Sequence, residues 1–139
     1  MKRLATLTSL AMFAMTIPVA AQELETVVIT APGGERFTIM GLDCRHDIVA
    51  DTMTLDRVRA TANEEGPRLL LYHSPDLMPQ AIGKEIDLYL CGHTHGGQGR
   101  LPIIGPILTS SKLGRRYVMG HYAAGRTHLY VSRGIGFEG

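Results

Sequence analysis

Several features that would mark a particular class of protein are scarce or missing in this sequence. With two cysteines, Cys44 and Cys91, the chain has too few for a disulfide framework. The formal net charge is +1 and no long block carries one sign, so the charge gives no reason to expect binding to nucleic acid or an acidic surface. Tryptophan, internal repeats and low-complexity tracts are all absent from the sequence.

The rest of the composition is that of an ordinary globular protein. The 139 residues are enough for one domain, and 45% of them are hydrophobic. Each cysteine ends an apolar, strand-like pattern, which predicts a buried free thiol. Cys91 also stands two positions before His93, so a Cys-x-His-x-His metal site is the alternative for that residue. A strand residue at that position belongs more often to the core, and we expect Cys91 there.

The most informative stretch is 86–98, in which a short apolar run stops at Gly92 and two histidines follow. The run over 86–91 has the length of a buried strand. In extended backbone, residues two apart point the same way, so His93 and His95 could present their imidazoles to one place. Imidazole suits zinc, iron, manganese and similar divalent ions. The stretch therefore predicts either metal ligands just beyond a strand or two surface histidines at a strand-loop junction.

A second stretch repeats this design. Residues 69–73 form an apolar strand pattern that delivers His73 at its carboxyl end. Ligands of parallel sheets gather at the carboxyl ends of the strands. If the two strands are neighbours, His73, His93 and His95 converge, and we predict that all three bind metal.

These motifs resemble the C-terminal half of a calcineurin-like metallophosphoesterase. Residues 92–98 read Gly-His-Thr-His-Gly-Gly-Gln, as in a bacterial membrane-associated branch of that family, and a Leu-Pro pair follows at 101–102. His73 begins a His-Ser-Pro-Asp run that matches the family's isolated histidine motif. Further similar stretches lie at 41–43, 117–120 and 129–136. The resemblance runs from about Val27 to the end of the chain.

The resemblance implies a fold, an activity and a cofactor. The fold would be α/β, half of an α/β-β/α sandwich. The activity would be hydrolysis of phosphoester or pyrophosphate bonds by water activated between two divalent ions of Mn, Zn or Fe. His73 and His93 would bind one ion and His95 the other, and the substrate would be a phosphorylated small molecule or a lipid-linked one. No catalytic residue is identified beyond these ligands.

Three motifs of the family are missing from the sequence, namely Asp-x-His, Gly-Asp and Gly-Asn-His followed by an acid. In the family they supply the bridging aspartate, most ligands of one metal and the histidine that protonates the leaving group. We therefore expect a truncated chain that binds at most one metal and has little activity alone. The alternative is a noncatalytic metal-binding remnant, or a nonfunctional fragment whose half-sheet leaves an apolar face uncovered.

Residues 1–24 allow three interpretations. A basic start, an uncharged stretch over 4–21 and small residues before Gln22 are typical of a secretory signal peptide. The same stretch is nearly long enough to span a membrane. Alternatively it is an internal helix of a truncated enzyme, with Met1 an internal methionine. The first two predict an exported or membrane-associated protein and the third a cytoplasmic one, and in each case 25–139 forms the partial metallophosphoesterase domain.

The local patterns over 25–139 predict alternating strands and helices, hence an α/β arrangement. We expect strands at 25–30, 35–41, 69–73, 86–91, 117–122 and 127–132, the first two and the last two as hairpins. We expect a helix that begins near Asp51 or Thr52 and ends by Gly66-Pro67, and a short helix at 75–82 capped by Ser74 or Asp76. Residues 99–114 are expected to form a loop whose apolar residues pack on the core or, alternatively, face a lipid-like substrate or the membrane. These residues are Leu101, Ile103, Ile104, Ile107 and Leu108.

The remaining histidines are given structural interpretations. His46 follows the Gly-Leu-Asp stretch and is expected to be a solvated loop residue. His121 and His128 lie on the last two predicted strands, where we expect cross-strand or surface positions.

Overall fold

The computed structural model describes residues 26–62, 65–101 and 105–134, so residues 1–24 and their three interpretations lie outside it. The strands are β1 (Thr26–Thr30), β2 (Arg36–Gly41), β3 (Arg68–Leu71), β4 (Leu88–Cys91), β5 (Gln98–Leu101), β6 (Gly105–Leu108), β7 (Gly120–Ala124) and β8 (Thr127–Val131). The helices are α1 (Ile48–Thr61) and α2 (Met78–Ile82), and short 3-10 turns cover Pro75–Leu77 and Gly114–Arg116.

Six of the strands form one mixed sheet in the order β1-β2-β3-β4-β8-β7. Strands β2, β3, β4 and β8 run parallel, while β1 and β7 are antiparallel edge strands. The predicted α/β class is confirmed, as are both hairpins. The parallel order brings the carboxyl ends of β3 and β4 side by side, as the strand-then-histidine pattern requires.

One face of this sheet carries the hydrophobic core. Leu55 and Val58 of α1 and Met78 of α2 are buried against it. The sheet contributes alternate residues of its parallel strands, among them Met40, Leu70, Tyr89, Leu129 and Val131. Alternation is expected because successive strand side chains point to opposite faces. The other alternate residues of these strands form the opposite face of the sheet, and their side chains are largely apolar.

Helix α1 starts earlier than the sequence predicts. Asp47 is the N-cap, because its carboxylate accepts from the N–H groups of Val49 and Ala50. Asp51 was expected at this position, but it lies inside the helix and is 1% exposed. Asp51 and Thr52 were thus wrong as caps, since an earlier aspartate already satisfies the free amides.

The segment predicted as a loop over 99–114 contains β5 and β6, which pair antiparallel in a separate two-stranded sheet. The prediction is wrong for these residues. A two-stranded sheet consists only of edge strands, which tolerate a proline such as Pro106. Leu108 is 66% exposed, so it does not pack on the core. Ile103 and Ile104 lie outside the described residues.

The last hairpin is shorter than predicted at its start. Strand β7 begins at Gly120 and not at Tyr117, because the N–H groups of Val118 and Met119 donate to the Tyr122 hydroxyl at 3.0 and 3.2 Å. Amides used in this way are lost to the strand ladder.

Candidate metal centre

The loops that follow β3 and β4 carry His73 and His93, each two residues beyond its strand. Leu71 and Leu90 are partners in the parallel ladder, so the two loops leave the sheet at the same level. The Gly92 N–H donates to the His73 carbonyl at 2.9 Å and ties the loops together. The sheet register thus places the two histidines side by side.

Their imidazole rings lie with centroids 4.7 Å apart, tilted by 57°. His73 is exposed and His93 half-buried, so both rings are within reach of a ligand from solvent. The convergence that the strand-then-histidine pattern predicts is thus present for His73 and His93. Whether the two rings bind a metal remains a prediction.

The backbone of the His-x-His segment is not extended, contrary to the sequence argument. His93 and His95 have φ values of 72° and 51°, in the left-handed region. The segment is a tight turn, in which the Gly97 N–H donates to the Thr94 carbonyl at 2.7 Å. Thr94 is fully buried, and its hydroxyl donates to the Val118 carbonyl at 2.5 Å. The structure therefore holds the histidines in a conformation that costs about 1–3 kcal/mol per residue, a cost often found at functional sites.

His46 joins this group, although the sequence indicated only a solvated loop histidine. It is exposed as expected, but its ring centroid lies 6.1 Å from that of His73 and 5.7 Å from that of His93. The loop after β2 leaves the sheet at the same edge as the loop after β3, because Gly41 pairs with Leu71. That topological neighbourhood was the available signal, since His46 does not directly follow an apolar strand.

The pKa of His73 is affected by the three other histidines near this end of the sheet. Its pKa is lowered from the usual value first by burial, and then by the positive charges of His93, His46 and His95. A lowered pKa favours the neutral imidazole at physiological pH, which is the form that binds metals. His95 thus belongs electrostatically to the group.

A hydrogen-bonded loop positions His93. Its Nε2 donates to the Ser110 carbonyl at 3.2 Å, since a carbonyl can only accept. The neighbouring Ser111 hydroxyl donates to the buried carboxylate of Asp76 at 2.5 Å, and the Leu113 N–H approaches the same oxygen at 3.4 Å. Asp76 therefore anchors this loop. The expected cap of the short helix is instead Ser74, whose hydroxyl accepts from the Asp76 N–H.

The donor types suit a divalent metal, but the set is incomplete. Within 26–62, 65–101 and 105–134, no group of three or more His, Cys, Asp or Glu side chains is arranged to hold an ion. Cys91 does not extend the set, because it lies in the core and burial raises its pKa to about 12. The expected core position of Cys91 is thus confirmed.

Cys44 behaves differently, because it is only partly buried. Its thiol donates to the Tyr72 hydroxyl at 3.2 Å, and that hydroxyl donates to the Asp51 carboxylate at 2.5 Å. Burial, together with the hydrogen bond to Asp51, raises the pKa of Tyr72. The prediction of a buried thiol is therefore wrong for Cys44. The hydrogen bonds from Cys44 through Tyr72 to Asp51 link the loop after β2 to helix α1.

The other two histidines lie elsewhere, on β7 and β8. The Nε2 of His121 and the Nδ1 of His128 are 2.9 Å apart, and both side chains are exposed. The prediction of cross-strand surface histidines is confirmed.

This chain, whose α/β sheet gathers histidines at the carboxyl ends of its parallel strands, is similar to several known proteins. The chain is 47% identical over 68 residues to the uncharacterized metallophosphoesterase YkuE of Bacillus subtilis. Those residues are 49% of this chain and 23% of that protein. It is 46% identical over 70 residues to the phosphodiesterase YaeI of Escherichia coli, 50% of this chain and 26% of that protein. A Danio rerio transmembrane protein with a metallophosphoesterase domain is 32% identical over 90 residues, 63% of this chain and 20% of that protein.

The predicted resemblance to metallophosphoesterases is confirmed, and this chain is a relative of these proteins over about half of its residues. The chain spans about a quarter of the length of the curated relatives it matches, in agreement with a resemblance to part of the fold only. No family model matches the chain. No solved structure matches it. Neither helix of the described ranges is long and apolar enough to cross a membrane.

Proposed function

We propose that this chain supplies His73, His93 and His95 to a divalent metal centre that hydrolyses phosphoester or pyrophosphate bonds. The observation that carries the proposal is the 4.7 Å approach of the His73 and His93 rings at the carboxyl ends of adjacent parallel strands. The names of the relatives support the chemical class, since they are a metallophosphoesterase and a phosphodiesterase. We take 25–139 as the partial domain that carries this site.

Each residue has a defined task in the proposal. His73 and His93 would hold one ion through neutral imidazoles, and His95 would bind a second ion. Ser110 fixes the His93 tautomer by accepting from Nε2, which leaves Nδ1 as the nitrogen that can bind metal. A divalent ion held there would supply Lewis acidity that lowers the pKa of bound water.

The binding test uses the full chain in titration calorimetry with Mn²⁺ or Zn²⁺. We expect one ion per chain, with affinity falling below about pH 6.5 because imidazole must be neutral to bind. His93→Ala should weaken binding at least ~10-fold, since it removes a direct ligand. The matched control is His121→Ala, which removes an exposed histidine outside the group. Equal binding by the wild type and His93→Ala would contradict the proposal.

The activity test separates the enzyme from a noncatalytic metal-binding remnant. Because the Asp-x-His, Gly-Asp and Gly-Asn-His motifs of the family are missing from the sequence, we expect little or no turnover of a generic phosphodiester by this chain alone. Metal-dependent turnover that His93→Ala abolishes would overturn that expectation. Binding of one ion without turnover agrees with both an enzyme and a noncatalytic remnant. Turnover that appears when the family's missing motifs are added, in trans or by fusion, would favour the enzyme.

The substrate class in this proposal is a phosphorylated small molecule, as the name of the YaeI phosphodiesterase suggests. We also propose export or membrane association, which the uncharged stretch over 4–21 and the name of the Danio rerio relative support. Fractionation of cells that express the full chain, followed by mass determination of its N-terminus, tests this. An uncleaved chain in the cytoplasm would contradict it.

A further inference from the structure

Four positively charged side chains lie near the histidines, at the carboxyl ends of the parallel strands. We call them the site cations: Arg45, Lys112, Arg116 and Arg133, all of which are exposed. Arg45 directly precedes His46 in the loop after β2, and Arg133 follows the end of β8, which runs parallel to β4. The other two lie in the segment before β7, and β7 begins beside the end of β8 because Gly120 pairs with Val131. The topology of the sheet thus brings all four to one end.

Two of the site cations contact the segments that carry the histidines. The Lys112 ammonium donates to the His46 carbonyl at 2.7 Å, and Lys112 belongs to the loop that also positions His93. The Arg133 side chain lies against the turn of the His-x-His segment, since a Cβ at Gly96 would be 3.2 Å from its Cδ. Positive charges therefore adjoin both the loop of His46 and the His-x-His turn.

An aromatic ring orients a third site cation, Arg116. Its guanidinium carbon lies 5.3 Å from the centroid of the buried Tyr117 ring. A cation above an aromatic face is held by the ring quadrupole, so its N–H groups stay available as donors. The next residue along the chain is Val118, whose carbonyl accepts from the Thr94 hydroxyl in the His-x-His turn. Arg116 is therefore close in the chain to the point where that turn is fastened.

No carboxylate within the described parts of the chain forms an ion pair with a site cation. The exposed acids of this end are Asp43 and Asp47, both in the loop after β2. The carboxylate of Asp76 is buried and accepts from the Ser111 hydroxyl and the Leu113 N–H. The acids at this end thus leave the site cations able to bind an anion from solvent.

The cations at the opposite end of the same strands are arranged differently, because each has a carboxylate partner. The pairs are Arg59 and Arg68 with Glu85, Lys84 with Asp56, and Arg126 with Asp87. The net charge of the chain is only +1, so a general excess of basic residues does not explain the contrast. Positive charge without an ion-pair partner is concentrated where the histidines lie, and such an accumulation attracts anionic ligands.

We propose that the site cations select a substrate with two linked phosphoryl groups, a pyrophosphate, over a substrate with a single phosphoryl group. The inference rests on the proposed function, because it concerns the same site. A phosphodiester carries a single negative charge, which one divalent ion is enough to balance. A pyrophosphate carries more negative charge and more oxygen acceptors, so it can also contact the site cations. Hydrogen bonds from lysine or arginine to phosphate oxygens are charge-assisted and therefore strong.

The test is titration calorimetry of the full chain, kept free of divalent metal, with inorganic pyrophosphate and inorganic phosphate as probes. We expect pyrophosphate to bind at least ~10-fold more tightly, because its two phosphoryl groups can contact more than one site cation. Lys112→Gln and Arg133→Gln should each weaken pyrophosphate binding about 3-fold to 10-fold, since each removes an exposed charged donor. Lys112→Arg keeps the charge and should bind as the wild type does.

The matched control is Lys84→Gln, which makes the same chemical change at a lysine paired with Asp56 at the other end of the strands. It should leave pyrophosphate binding unchanged. Circular dichroism checks that each variant is folded, and Lys112 and Arg133 lie on different segments, so either one alone tests the proposal.

Three results would overturn the proposal. One is equal affinity of the wild type for pyrophosphate and phosphate. Another is pyrophosphate binding that both Lys112→Gln and Arg133→Gln leave intact. The third is an equal loss in Lys84→Gln and Lys112→Gln, which would show that binding follows net charge alone.

The metal titration with His93→Ala decides the proposed function separately. A chain that binds metal through His93 but does not prefer pyrophosphate would keep the hydrolase and contradict the pyrophosphate site. A chain that prefers pyrophosphate but binds no metal would support the pyrophosphate site and contradict the proposed function.

Discussion

The two ends of the parallel strands, called here the amino edge and the carboxyl edge of the sheet, differ in the side chains that they carry. At the amino edge, where the parallel strands begin, Asp87 accepts from the Arg68 N–H at 2.8 Å and from the Arg126 guanidinium at 2.5 Å. At the carboxyl edge, His46, His73 and His93 crowd together, and burial and the positive charges of His93 and His46 lower the pKa of His73. The amino edge pairs the Asp87 carboxylate internally, while the carboxyl edge leaves imidazole rings in reach of solvent. Stability and chemistry should therefore respond to different substitutions.

The largest effect is expected at the amino edge from Gly66→Ala. Gly66 has a φ of 106°, and a Cβ there would lie 2.1 Å from the carbonyl oxygen of Arg36. Strain and overlap together should cost about 3 kcal/mol of unfolding free energy, measured by urea denaturation. Gly83→Ala is the control, since its Cβ meets nothing within 4 Å and its φ is −86°. Equal stability of the two variants would refute this account of the edge.

A smaller loss is expected from Asp87→Ala, about 1–3 kcal/mol, because the Arg68 N–H loses its acceptor. Arg126 is 56% exposed, so its share is reduced by salt. Burial alone would raise the pKa of Asp87, but the Arg126 and Arg68 hydrogen bonds outweigh it and the net pKa is lowered.

The pH dependence of this stabilisation follows from the direction of the shift. The folded state holds the Asp87 proton less tightly than the unfolded state, so the stabilisation is complete above the ordinary pKa of 3.8 and is lost as pH falls through the lower folded value. The stability difference between the wild type and Asp87→Ala should shrink below pH 3.8. A difference that stays constant there would show that the carboxylate charge is irrelevant.

At the carboxyl edge, Asp76→Ala should disturb the site more than the fold. Losing the anchor of Ser111 frees the loop whose Ser110 carbonyl holds His93. Nitrogen-15 NMR of the imidazoles should show His93 with its proton on Nε2 in the wild type and a mixture of tautomers in the variant. Asp56→Ala removes a carboxylate paired with Lys84 away from this edge and should leave the tautomer unchanged. An unchanged tautomer in Asp76→Ala would break the proposed link.

The smallest structural disturbance comes from alkylating the cysteines. Burial raises the pKa of Cys91 to about 12, so almost none is thiolate at pH 8. Cys44 is partly exposed, and iodoacetamide should modify it at least ~10-fold faster in the native protein. Both should react at similar rates in urea. Faster modification of Cys91 in the native state would place it outside the core.

The sequence predicted the part of the site that depends on strand periodicity. His73 and His93 follow apolar runs, and parallel pairing of β3 with β4 brings them together. His46 was missed because it lies in an irregular loop, where only the order of strands reveals its neighbours. The turn at His93 and His95 was missed because one sequence of glycines and histidines suits both extended and left-handed backbone.

The fold shows the same division. The alternation of apolar residues located the strands of the six-stranded sheet and the class of fold. The predicted ends of helices and strands were less accurate where a nearby side chain binds the backbone amides. Asp47 caps α1 ahead of Asp51, and the Tyr122 hydroxyl accepts from the amides that precede β7. The strands β5 and β6 carry proline and glycine, so propensity gave them no strand signal.

The pairing of β4 with β8 has a consequence for the order of folding. Leu88 of β4 pairs with His128 of β8, whereas β7 and β8 meet across a two-residue turn at Gly125 and Arg126. Closing a long loop is entropically costly, and parallel pairings of high contact order form slowly. The β7–β8 hairpin should therefore form early and join β4 late. We therefore expect the histidine turn, which Thr94 fastens to Val118 just before β7, to acquire its final shape only when this hairpin docks on β4.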